Sequence, residues 1–275
     1  MLFRSWRLRF WLLGLPAGIG MATLRGILKL WLFVPRRWCG VHSAGNAPAM
    51  RAAIIGVAHG DEPLRLHALV RASTRITHTD MKAELAAVAV ARVAHCSAEN
   101  GGRVSPAQLR TLLRDDGDEA FGALVEGVIQ SVLRGESTPQ FARTLGLGRG
   151  VTGYAWHTLP VALHAVLAHP ADYRNAVLAA IECGGDTDTV AAIVGGIVGA
   201  GVGREGIPAA WLARLAEWPR GIAWMERLGA VLACRVARDG AVVVPTASAA
   251  ALLARNLFFL VVGLAHGLRR LLPPY

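Results

Sequence analysis

The run Glu182-Cys183-Gly184-Gly185-Asp186-Thr187-Asp188-Thr189, continuing as Val190-Ala191-Ala192-Ile193-Val194-Gly195-Gly196, holds the most specific pattern in the chain. Two glycines allow a tight backbone turn. Two acids then stand two residues apart, and a hydroxyl follows. On a helix, positions i and i+2 point apart, whereas in an extended turn they point the same way. The pattern predicts a turn entering a helix, with Asp186, Asp188 and Thr189 converging at the junction. The small residues of that helix let neighbours pack closely behind it. Outward from this turn, apolar segments of helical length alternate with Gly, Pro and Asp punctuation. Asp80 is placed to cap a helix through Leu85, Val88, Val90 and Val93, and Ser105-Pro106-Ala107-Gln108 is a capping box with Pro at the first helical position. Asp118 opens a segment through Leu133, and His169-Pro170-Ala171-Asp172 closes one helix and opens another running to about Glu182. Pro208 stands at the start of a helix from Trp211 to Trp218. Only Ala241 to Pro245 has the β-branched density of a strand, and it is too brief to found a sheet. The reading is all-α: one compact multi-helix domain over residues 1–253, then a basic, apolar helix or tail at 254–275.

With 275 residues, 53% hydrophobic and 17% charged, the chain can bury a large core and is not disordered in bulk. Its mean hydropathy of +0.40 raises the membrane question. A spanning helix needs about 20 predominantly apolar residues. Phe10 to Leu24, Thr189 to Gly203 and Gly240 to Ala254 are too short, as is Asn256 to Leu268, which also carries His266. A polytopic membrane protein is not expected. The formal net charge is +10, but residues 1–40 hold seven Arg or Lys and no acid, residues 254–275 hold three Arg and no acid, and the remainder nets zero. A nucleic-acid footprint spreads basic residues over a face, with aromatics for stacking; no nucleic-acid partner is expected. Cys39, Cys96, Cys183 and Cys234 lie far apart and read as free thiols in a reducing compartment. Phe10 to Ile19 has the Arg-rich flank of a signal peptide, but Gly14, Pro16 and Gly18 break its core, so a cytoplasmic location is expected.

All-oxygen donors such as Asp186, Asp188 and Thr189 suit a hard cation, Mg²⁺ or Mn²⁺. The plainer alternative is that one acid only caps the helix. Asp186-Thr187-Asp188-Thr189-Val190 also fits the nucleophile motif of haloacid-dehalogenase-like phosphatases. That motif follows a strand near the start of an α/β fold, and here a helix precedes it. The Gly-Gly-Asp-Thr-Asp-Thr-Val-Ala-Ala-Ile stretch instead resembles the C-terminal metal motif of the ADP-ribosylglycohydrolases. Three segments agree in order and spacing. Ser43-Ala44-Gly45-Asn46-Ala47-Pro48-Ala49-Met50-Arg51 is similar to the family's phosphate loop, Ser73-Thr74-Arg75-Ile76-Thr77-His78-Thr79-Asp80 to its Thr-His segment, and His157-Thr158-Leu159-Pro160 to the stretch before its second metal motif.

The resemblance, over roughly residues 40–220, implies an all-α fold and a dinuclear Mg²⁺ (or Mn²⁺) site. It implies cleavage of the glycosidic bond between ADP-ribose and a modified side chain, so the partner is ADP-ribose or an ADP-ribosylated substrate. Asp186, Asp188 and Thr189 match metal ligands. Ser43, Gly45 and Asn46 match positions that hold the diphosphate or the distal ribose, and His78 a position near the nucleotide. Helix-end or core packing is the plainer alternative for His78, Tyr154 and His157. In this scheme cations orient the ribose hydroxyls and a water, and they stabilise an oxocarbenium-like transition state.

The family's N-terminal Gly-Asp-x-x-Gly helix and Thr-Asp-Asp-Thr motif have no counterpart in this sequence. Gly18 stands where an acid is frequent, and Ala47 where Gly is usual. One half-site does not compensate two adjacent cations. The reading prefers an N-terminally incomplete domain to a degenerate relative, and expects exposed apolar surface as its consequence. Three functions are carried forward: a Mg²⁺-dependent ADP-ribosyl hydrolase, a catalytically inactive ADP-ribose-binding module, and a protein held at a membrane surface by its two basic, aromatic ends. The last is set aside in favour of both ends packing on the domain as amphipathic helices. Oligomeric state is left open.

Overall fold

Cap chemistry fixes where the helices begin. The computed structural model describes residues 2–16, 18–35, 38–114, 118–237 and 243–271. Its α-helices are α1 (Leu2–Leu13), α2 (Met21–Trp31), α3 (Ala53–His59), α4 (Pro63–Arg75), α5 (Met81–Glu99), α6 (Pro106–Leu112), α7 (Glu119–Leu133), α8 (Thr138–Thr144), α9 (Ala155–Ala168), α10 (Tyr173–Ile181), α11 (Thr187–Val202), α12 (Ala209–Arg214), α13 (Ile222–Val236) and α14 (Ala249–Leu271). Asp80 caps α5 by accepting the Lys82 N–H at 2.8 Å, and Asp118 caps α7 by accepting that of Phe121 at 3.0 Å. Ser105 and Gln108 form the capping box of α6, and Asp172 caps α10. A second capping box, Ser137 with Gln140 at α8, went unread in the sequence.

The centre of the domain is α5, whose residues from Ala83 to Ala94 are buried except Glu84 and Arg92. It is packed by α3, α4, α9 and α11, while α10 flanks α11 and α7 backs α9. An Ala- and Val-rich helix can be surrounded because its short side chains let neighbouring backbones come close. Gly56 of α3 shows how close: a Cβ there would lie 1.9 Å from the Ala91 carbonyl oxygen of α5. The fold is all-α, with no strand among the described residues and only three isolated bridges.

The structure corrects three expectations. The helix after Pro208 stops at Arg214, where Leu215 takes φ −70° and ψ 100°, a backbone that cannot continue the helix. The Ala241 to Pro245 segment, read as too brief to found a sheet, is not one of the three: it lies partly outside the described residues, and 243–248 carry no regular structure. The C-terminal apolar run is not confined to Asn256 to Leu268, since α14 starts at Ala249 and is long and apolar enough to cross a bilayer. Nor does that helix pack on the domain throughout. Arg255 Nη2 bonds to Glu217 Oε2 at 2.7 Å and Asn256 Nδ2 donates to the Gly14 carbonyl, but from Leu257 to Arg269 every residue is exposed.

Candidate functional site

Three two-residue bridges sew the four motif segments into one surface. Val41 pairs with His78, through Val41 N–H to Thr77 O and Thr79 N–H to Val41 O, both 3.0 Å. Gly45 pairs with Tyr154, with Asn46 N–H to Gly153 O at 2.9 Å and Ala155 N–H to Ala44 O at 2.8 Å. Val151 pairs with Gly185, with Val151 N–H to Gly184 O at 3.0 Å and Asp186 N–H to Val151 O at 2.7 Å. Backbone bonds of this kind fix loop register without asking for a sheet. Gly184 and Gly185 both adopt positive φ, 71° and 78°, so the expected turn is present and delivers Asp186 to the N-cap of α11.

Asn46 is the hub. It is 7% exposed, and its Nδ2 donates to Asp186 Oδ2 at 2.7 Å and to Thr158 Oγ1 at 2.9 Å. Thr158, fully buried, donates in turn to the Thr152 carbonyl at 3.1 Å. The phosphate-loop segment and the acid turn are thus bonded directly, and Thr158 is the residue the sequence reading left without a role. Its signal was a hydroxyl inside the apolar run of α9, where burial demands a partner. The Asp186 carboxylate faces the Thr189 amide and hydroxyl in the first turn of α11 as well as Asn46, so a capping role and the tie to Asn46 coexist. Burial opposes its ionisation. The Asn46 bond, with Asp188 and the Thr189 hydroxyl and amide, outweighs this and holds the Asp186 carboxyl below the usual range. Asp188, exposed, and Thr189, half-buried, stand in the first turn of α11. Among the described residues no three His, Cys, Asp or Glu side chains come together.

His78 and Gly45 form the other side. A Cβ at Gly45 would lie 2.8 Å from His78 Nε2, so the glycine lets the loop rest on the imidazole. His78 is 3% exposed, with Nδ1 2.8 Å from Thr77 Oγ1. Burial, then the Arg51 charge, push its pKa down to about 4. Arg51 bonds to Ser73 O at 2.9 Å and Thr77 Oγ1 at 2.8 Å, and burial lowers it to about 10. Ser43 lies half-buried on the same loop. Tyr154, across from Gly45, accepts from Lys82 Nζ at 2.9 Å, and His157 Nδ1 sits 2.9 Å from Thr152 Oγ1. A separate cleft lined by Arg204, Glu205, Pro208, Leu212, Ile222 and Glu226 contains none of these residues.

A pH dependence follows. His164, fully buried between Ser131 and Thr138, is also pushed down to about 4, chiefly by burial. Both imidazoles titrate lower in the folded state than the 6.5 of an unfolded chain. Between these values the unfolded state binds the extra protons, so stability falls as pH falls. Each imidazole is expected to remove about 2 kcal/mol between pH 7 and pH 5. Thermal unfolding across that window reads the effect, and a flat melting temperature would contradict the burial of both rings.

Comparison with known proteins bears on the family of the chain. Over 207 residues the chain is 25% identical to an ADP-ribosyl-[dinitrogen reductase] glycohydrolase of Rhodospirillum rubrum, covering 74% of this chain and 62% of that relative. It is 28% identical over 212 residues to a protein of Archaeoglobus fulgidus described only as uncharacterized, covering 77% of this chain and 67% of the other. A solved structure described as an ADP-ribosylglycohydrolase-related protein complex superposes with a TM-score of 0.49 at 28% identity, covering 75% of this chain and 65% of that one. The family model for ADP-ribosylglycohydrolase matches residues 3–241, and the chain belongs to that family.

Proposed function

We propose that the chain hydrolyses the glycosidic bond joining ADP-ribose to a modified acceptor. The observation that carries this reading is the 2.7 Å bond from Asn46 Nδ2 to Asp186 Oδ2, which ties a loop suited to a diphosphate to a turn suited to a cation. In this reading the backbone around Ser43 and Gly45 holds the diphosphate and Asn46 keeps Asp186 oriented. His78 stays neutral at physiological pH beneath the loop, because burial and Arg51 oppose its protonation. Asp186, Asp188 and Thr189 are hard oxygen donors and fit one Mg²⁺ or Mn²⁺. They do not fit a pair: two carboxylates balance a single divalent charge, and the described residues contribute no third acid. A divalent cation held there supplies positive charge against ribose oxygens as the glycosidic bond breaks.

The same shortage of carboxylates favours a second reading, ADP-ribose binding without turnover. Calorimetric titration of the full chain with ADP-ribose, with and without Mg²⁺, is paired with assay of free ADP-ribose released from an ADP-ribosylated protein. Release that stops on chelation supports hydrolysis. Binding without release supports the second reading. Neither binding nor release overturns both.

A further inference from the structure

Both apolar ends of the chain meet on one side of the molecule. Asn256 of α14 donates to the carbonyl of Gly14, just past the end of α1. On α1, Trp6, Phe10, Trp11 and Leu13 are 41–60% exposed. On α14, Leu257, Leu260, Leu264 and Leu268 are 41–65% exposed. With Leu253 they recur at helical spacing and form one stripe, and Arg255, His266 and Arg269 fall on the opposite face. The root of α14 is fixed by the Arg255–Glu217 ion pair, so its outer three turns stand off the domain in a set direction.

The apolar surface of α14 does not end with the leucine stripe. Phe258, Phe259 and Val262, 71%, 50% and 47% exposed, continue it onto the opposite face, among Arg255, His266 and Arg269. A single helix from a second copy covers one stripe and leaves these rings in water. Charge points the same way. The two ends carry ten Arg or Lys, seven in residues 1–40 and three in 254–275, and no acid. Arg9 is buried and Arg255 is paired with Glu217, but with no acid in either end and Arg269 exposed, two copies meeting there gain no opposite charge, whereas anionic lipid headgroups attract the exposed basic residues.

We propose that α14, together with the aromatic face of α1, binds the surface of an anionic lipid bilayer. The leucine stripe of α14 lies in the acyl boundary and its arginine face at headgroup level. A leucine stripe opposite a face on which Arg255, His266 and Arg269 stand among apolar side chains, with no acid on the helix, suits a helix that lies in the interface plane with its arginines at headgroup level. α14 is long enough to cross a bilayer, but a crossing would draw Arg255 into the hydrocarbon and away from Glu217, whereas lying in the interface leaves that ion pair in place. The proposal is independent of the hydrolase reading.

The test is sedimentation of the full chain with vesicles of phosphatidylcholine alone or mixed with phosphatidylglycerol. The chain is expected to pellet with the anionic vesicles and about tenfold less with the neutral ones, and to be partly released by about 0.5 M salt. Leu264→Glu combined with Leu268→Glu changes only exposed positions, so the variant is expected to keep the parental melting temperature and to stay in the supernatant. Three results overturn the proposal: a parent that ignores anionic vesicles, a double variant that pellets like the parent, or a parental dimer in light scattering that the double substitution makes monomeric while vesicles bind neither. No readout involves ADP-ribose, so failure of the hydrolase reading leaves this test intact.

Discussion

Asp186→Asn is expected to lower Mg²⁺-dependent ADP-ribose release by about 100-fold or more while leaving the melting temperature within about 2 °C. The substitution isolates charge from shape. Asn keeps an oxygen where Asn46 Nδ2 now donates at 2.7 Å, and the backbone bond from residue 186 to the Val151 carbonyl is untouched. What disappears is one of the two negative charges in the first turn of α11, and with it half the charge that balances a divalent cation. Asn46→Ala makes the contrasting variant. It leaves the carboxylate but removes its positioning bond and the bond to Thr158, whose hydroxyl keeps its own bond to the Thr152 carbonyl, so a loss of stability of about 1 kcal/mol accompanies its loss of activity. Equal activity in Asp186→Asn and the parent would assign Asp186 to holding the turn, and the cation would have to sit elsewhere. If the chain binds without turnover, the same pair of variants is read as Mg²⁺-dependent ADP-ribose affinity.

The parts of the fold that were legible in the sequence are those whose physics is local. A cap is a side chain two or three residues from the amide it satisfies, so Asp80, Ser105, Asp118 and Asp172 announce their helices. The Gly184-Gly185 turn belongs to the same class, since positive φ is a property of single residues. The site was legible only as four separate segments. What joins them is long-range: Asn46 and Asp186 are 140 residues apart, and the bridges between their loops use backbone atoms that every residue type possesses. Thr158 lay inside a quoted motif, yet nothing local marks it as the acceptor of the Asn46 amide. The C-terminal helix misled for the opposite reason. Its leucine spacing is what a packed amphipathic helix shows, and the pattern of one face does not say whether protein or lipid covers it. Only the exposure of Phe258, Phe259 and Val262 on its other faces separates the two.

Gly185→Ala is expected to be the most damaging single methyl in the site. It is expected to cost about 3 kcal/mol or more and to lower the melting temperature by roughly 6–12 °C. Two separate costs meet at this residue. Its φ of 78° is a left-handed conformation that an alanine adopts only at about 1–2 kcal/mol. Its Cβ would also lie 2.1 Å from the Val151 carbonyl oxygen and 2.5 Å from the Val151 nitrogen, and both are backbone atoms that no rotamer change can move aside. Gly184→Ala supplies the control within the same turn. Its φ of 71° carries the first cost, but the nearest atom to its Cβ would be Gly150 Cα at 3.8 Å, an ordinary contact, so it lacks the second. The difference between the two alanines therefore measures the Val151–Gly185 bridge. Function separates them further. The carbonyl that Gly185→Ala pushes away is the one that accepts the Asp186 N–H at 2.7 Å, so the carboxylate moves with it and ADP-ribose release falls beyond what the melting temperature accounts for. Measured below both melting transitions, Gly184→Ala should keep most of the parental rate. Alanines that proved equal in stability and in rate would mean that the bridge adapts, and that Asp186 is placed by Asn46 rather than by the turn beneath it.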